Sequence, residues 1–158
     1  MKGNSLLTTL VVLLAATLIS GAATAQTGAA ACTLAHAAGT YGFTDSGTVV
    51  GVGPRVAAGI FTLDAAGNLL NGKATSSLNG AIAEETFSGT YTVNSDCTGT
   101  FNNVEIRDPS GNLLLVITAN LAWDENMKQL RAIFTSAKLP DGTSLLTVIG
   151  ADARKMVP

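Results

Sequence analysis

From Gly39 onward the chain alternates apolar and polar side chains with a period of two. The clearest stretch runs from Thr86 to Phe101: Phe87, Tyr91 and Val93 fall on one face, and Thr86, Ser88, Thr90 and Thr92 on the other. Alternation of this kind marks a half-buried strand. Asn94-Ser95-Asp96 then supplies short side chains that bond their own backbone and turn the chain, and Cys97 opens the next strand. The same reading puts Tyr41, Phe43, Asp45 and Val49 on one face, opposite Thr44, Ser46 and Thr48, and aligns Gly59, Phe61 and Leu63. It predicts strands over 39–50, 56–64, 69–78, 81–93, 97–107, 113–123, 127–138 and 143–153. The seventh is ambiguous, because Met127, Leu130, Ile133 and Phe134 also fit a helical stripe; tight turns on both sides favour the strand.

The connections are short. Asp64-Ala65-Ala66-Gly67-Asn68-Leu69-Leu70 is echoed by Asp108-Pro109-Ser110-Gly111-Asn112-Leu113-Leu114 and, more loosely, by Pro140-Asp141-Gly142-Thr143-Ser144-Leu145-Leu146. Asp starts a turn and Gly takes the left-handed position. The spacing of these acids does not match a calcium loop of the EF-hand kind. Asn79-Gly80 is a hairpin signal, and Gly51-Val52-Gly53-Pro54 reads as a break between the first two strands. Eight strands in hairpin succession give an all-β, antiparallel meander. Closing it into a barrel removes the exposed edges; a two-sheet sandwich is the alternative. An eight-stranded barrel is either filled by its own side chains or holds one small ligand.

Ahead of the strands, Lys2, the apolar run from Leu6 to Ile19 and Ala23-Thr24-Ala25 have the order of a cleaved export signal over 1–25. An Ala-rich lead over 26–38 follows, with one helical turn expected in 33–38, and then one barrel domain over 39–158. The expected location is secreted or periplasmic, with no membrane span once the signal is removed. Acylation of Cys32 is disfavoured, because it lies well past the apolar run. With only two cysteines in an exported chain, Cys32 and Cys97 are expected to form a disulfide.

Nine basic and eleven acidic residues leave a formal charge of −2, without a basic run, so nucleic acid is not an expected partner. No cofactor is implied. The single histidine, His36, stands in the lead without a nucleophile motif, which leaves neither a hydrolytic triad nor a metal site expected. The candidate chemistry lies in Asp45 and Glu85, which share faces with aromatic side chains. If those faces turn inward, Tyr41, Phe43, Asp45, Phe61, Glu85, Phe87, Tyr91 and Leu115 point into the lumen. An inward carboxylate must be protonated, paired with Arg107, Arg131 or Arg154, or wetted at the rim. The bland reading leaves both acids solvated at the rim. Adjacent Glu84 points the other way. Three functions follow: a barrel binding a small apolar ligand among these residues, a cyclase or isomerase using Asp45 or Glu85, or a structural or surface-interaction protein with a packed core.

The segments Gly39-Thr40-Tyr41-Gly42-Phe43, Phe61-Thr62-Leu63-Asp64-Ala65-Ala66-Gly67-Asn68 and Gly89-Thr90-Tyr91-Thr92-Val93-Asn94-Ser95-Asp96-Cys97-Thr98-Gly99 together resemble a group of small secreted bacterial proteins. These carry one Cys before the first strand and a second in an Asp-Cys-Thr-Gly-Thr turn. The resemblance covers most of the chain after residue 25 and implies the same disulfide and β architecture. It carries over no catalytic residues. A looser likeness, by strand count alone, is to lipocalin-type and allene-oxide-cyclase-type barrels.

Overall fold

The structure, a computed structural model, describes residues 32–156. The expected export signal and the start of the lead lie outside the described residues. A single helical turn, α1 (Leu34–Ala37), precedes eight strands: β1 (Gly39–Val49), β2 (Gly53–Leu63), β3 (Asn68–Leu78), β4 (Ala81–Val93), β5 (Thr98–Arg107), β6 (Leu113–Trp123), β7 (Gln129–Lys138) and β8 (Thr147–Lys155). Each strand pairs antiparallel with the next, and β8 returns to β1, so the meander closes into a barrel and the sandwich alternative is excluded.

Several strand boundaries depart from the pattern in the sequence. β2 starts at Gly53, with Pro54 already paired to Thr48; proline is tolerated there because it stands at the very start of a strand. Cys97 and Met127 sit in turns with positive φ, at 65° and 51°, rather than at strand starts. The segment 143–146 stays outside β8 and holds to β7 by the Lys138–Ser144 bridge. The helical stripe over 127–138 is not used: β7 lies between strands on both sides, and Ile133, which the stripe would bury with Leu130, is exposed.

Alternation is interrupted where the sheet must bend. The ladders slip between Leu69 and Gly72, between Phe101 and Val104, and between Thr118 and Ala119. At the first two slips an extra residue, Asn71 or Asn103, takes left-handed geometry (φ 55° and 49°), which asparagine tolerates better than most. These bulges coil the strands enough to close a small barrel. Gly59 is needed for a related reason: a Cβ there would collide with the Lys73 carbonyl of β3. The β7–β8 ladder is short, covering only Gln129–Ile133 against Gly150–Arg154.

The facing is as the alternation implies. Tyr41, Phe61, Leu63, Leu69 and Tyr91 are buried, Leu115 packs against the core, and Ser88, Thr90 and Thr92 are exposed. An aromatic cluster fills the middle of the lumen. Tyr41 stacks on Phe61 at 5.4 Å between ring centroids, and Phe43 meets Phe87 edge-on at 5.6 Å, as Phe61 meets Phe101 at 5.9 Å. Such pairs add about 0.5–1.5 kcal/mol each beyond area burial.

One end of the barrel is stoppered by α1, whose Thr33 side chain caps it by accepting from the His36 amide. Two inward tyrosines hold it there. The Tyr41 hydroxyl donates to the Ala37 carbonyl at 2.8 Å and approaches that of Met127 at 3.2 Å. The Tyr91 hydroxyl donates to the Asp64 carbonyl at 2.7 Å and approaches that of Leu34 at 3.2 Å. The expected Cys32–Cys97 disulfide ties the lead to the β4–β5 turn, with Cα atoms 5.1 Å apart. At the chain's other end, Lys155 reaches the His36 carbonyl and the Met156 amide donates to Thr40.

Candidate functional site

In the half of the lumen away from α1, three charged side chains converge from three strands. Asp45 and Glu85 are only 5% and 8% exposed, so the solvated-rim reading does not hold. Their partner is Arg55, not the arginines expected from the sequence. Arg107 bonds Glu105 and the Gly111 carbonyl, Arg131 makes an exposed contact with Asp152, and Arg154 is exposed. The sequence pattern passes over Arg55 because the Gly53-Pro54 dipeptide reads as a break. Extending the alternation backwards through Phe61, Gly59 and Ala57 to Arg55 was the signal that could have found it.

Arg55 donates from Nη1 to Glu85 Oε1 at 3.1 Å and from Nη2 to Glu85 Oε2 at 2.9 Å. This bidentate, charge-assisted geometry is the strong form of the interaction. Ser76, on β3 between them, donates to Glu85 Oε1 at 2.7 Å. Asp45 is the looser partner, its Oδ2 lying 3.6 Å from Arg55 Nη2. Among the described residues, Asp45 Oδ1 and Arg55 Nε are buried without a hydrogen-bond partner. Burial pushes the Asp45 carboxyl above its ordinary value; Arg55 pulls it down in part, and Glu85 adds to the rise. For Arg55, burial weakens the hold on its proton, but Glu85 and Asp45 together outweigh this and strengthen it.

Between this cluster and the aromatic rings lies a cavity of about 60 Å³. Phe43, Phe61, Phe87, Asp45 and Glu85 all line it, as does Arg55; the rest of its wall is apolar. Tyr41 and Tyr91 do not line it; their hydroxyls bond the Ala37 and Asp64 carbonyls at the stoppered end. No group of three or more His, Cys, Asp and Glu side chains suited to a metal ion occurs among the described residues. Nor is any described helix long and apolar enough to cross a membrane.

No protein-family model matches the chain, and no curated protein matches it. Solved structures similar to it include two β-barrels. One is a redesigned β-barrel, 20% identical, covering 79% of this chain and 96% of its own, with a TM-score of 0.45. The other is a de novo designed fluorescence-activating β-barrel, 16% identical, covering 75% of this chain and 93% of its own, with a TM-score of 0.42.

Proposed function

We propose that this protein binds a small, mostly apolar ligand in the lumen of its barrel, between the phenylalanine cluster and the Asp45–Arg55–Glu85 cluster. The cavity of about 60 Å³ carries this reading. Lining atoms beside such a space lack dispersion partners that a ligand would restore. The volume also limits the ligand. An engineered apolar cavity of about 150 Å³ accepts benzene, so this one suits a molecule of only a few heavy atoms. The disulfide and the expected export signal support a protein that works outside the cytoplasm.

Xenon tests the reading, because it enters small apolar cavities without a polar contact. Saturable changes in the methyl NMR signals of Ile106, Ile117 and Leu130 are expected, and Ala132→Leu should abolish them while leaving the β-sheet circular dichroism intact. A protein that takes up no xenon has a packed core, and the structural-protein reading replaces this one.

Asp45 gives specific support to one further reading. A buried carboxyl with raised proton affinity at a cavity wall is suited to general acid–base work, as in the cyclase or isomerase alternative. Turnover lost in Asp45→Asn with ligand binding retained would favour it.

A further inference from the structure

The charged cluster also restricts what the ligand can present to it. Resting on the lumen-binding reading above, we propose that the ligand carries a neutral hydroxyl directed at Asp45 and Arg55, and that carboxylates are rejected.

An arginine in an apolar lumen would ordinarily mark a carboxylate site, since its planar fork matches that group. Here the fork is taken. Both terminal nitrogens of Arg55 are committed to Glu85, and Asp45 Oδ2 stands 3.6 Å from one of them. A ligand carboxylate would enter beside two acidic side chains and one guanidinium, where low dielectric strengthens repulsion.

The unpaired atoms specify the rest. With Asp45 ionised its Oδ1 is an acceptor, and Arg55 Nε–H is a donor; both are buried, and both residues line the cavity. Leaving such groups unpaired is costly. An ammonium has donors only and leaves Arg55 Nε unanswered. A carboxylate has acceptors only and leaves Asp45 Oδ1 unanswered. A hydroxyl donates and accepts at once, so it answers both. Water has the same capacity, and an alcohol binds here by displacing it while filling the apolar part of the cavity as water does not.

The test is an NMR titration of the oxidised, full-length protein with propan-1-ol, propanoate, propylammonium and xenon. Propan-1-ol should bind about fivefold or more tightly than either ion, the margin of roughly one net hydrogen bond. Asp45→Asn should narrow the margin over propanoate, because one negative charge is gone. Propanoate or propylammonium binding as tightly as propan-1-ol overturns the hydroxyl inference. So does xenon binding with no response to any of the three polar probes, and in both cases xenon uptake keeps the lumen reading. If neither xenon nor any probe binds, the lumen reading falls and this inference with it.

Discussion

Arg55 on β2 grips Glu85 on β4 across the intervening strand β3, through two hydrogen bonds of 3.1 and 2.9 Å. Neither side chain is more than about a tenth exposed. Removing one member of a buried pair strands the other. Glu85→Leu should therefore destabilise the protein by about 3–5 kcal/mol. Replacing the whole cluster, as Asp45→Leu, Arg55→Met and Glu85→Leu together, should cost less than that single change. Urea unfolding of the two variants decides it; a triple variant weaker than the single one would contradict the account.

Asp45 gives the stability curve a pH dependence of unusual sign. Burial raises its carboxyl above 3.8, against the pull of Arg55 and with the push of Glu85. The folded protein keeps this proton where the unfolded chain has released it. The contribution of Asp45 to stability therefore declines as pH rises from about 3.8 through the raised value. Asp64, Asp96, Asp108 and Asp141 act oppositely. Hydrogen bonds in their own turns, chiefly from Asn68, Thr98, Asn112 and Thr143, lower their carboxyls, so their contribution is lost as pH falls below that range. Asp45→Asn should gain on the parent as pH rises from about 4 towards neutrality. Parallel urea midpoints for the two proteins across that interval would rule the effect out.

The two tyrosines of the chain should be silent at the pH where phenols normally ionise. Burial pushes both Tyr41 and Tyr91 from 10.0 up to about 12. The unfolded chain loses these protons first, so stability falls as pH rises from 10 towards 12, and phenolate absorbance should appear together with unfolding. Phenolate formation near pH 10 with the circular dichroism unchanged would show that the hydroxyls are not held beneath α1.

The disulfide should be complete in protein produced in an oxidising compartment, with no alkylatable thiol by mass spectrometry before reduction. It closes a loop with a sequence separation of 65. Its reduction should lower stability by about 2–4 kcal/mol. The loss should be accompanied by faster amide exchange over α1, because the bond holds the lead to the β4–β5 turn. Equal exchange in both redox states would assign the retention of α1 to the tyrosine hydroxyls alone.

Much of the barrel was legible in the sequence because hairpin turns and alternation are local signals. Phe87, Tyr91 and their exposed threonine neighbours needed no tertiary information. The bulges were not legible: Asn71 and Asn103 look like ordinary polar residues until the ladder demands a left-handed position. At the site, Asp45 and Glu85 followed from the faces of their own strands, whereas Arg55 depended on where β2 begins, a boundary that Pro54 concealed. Tyr41 and Tyr91 faced inward as the pattern requires. That their hydroxyls bond the Ala37 and Asp64 carbonyls at the stoppered end is a matter of tertiary placement that no periodicity encodes.

Both ends of the described chain lie at the stoppered end of the barrel. Cys32 is fixed beside the β4–β5 turn, and Met156 bonds Thr40 next to α1. Anything attached through either end, whether a resin, a fused domain or a surface, meets the stoppered face. The charged half of the lumen then points away from the attachment. The choice between the two described ends is thus neutral with respect to orientation: a layer of this protein tethered close to Cys32 or close to Met156 would present the same pole to solution.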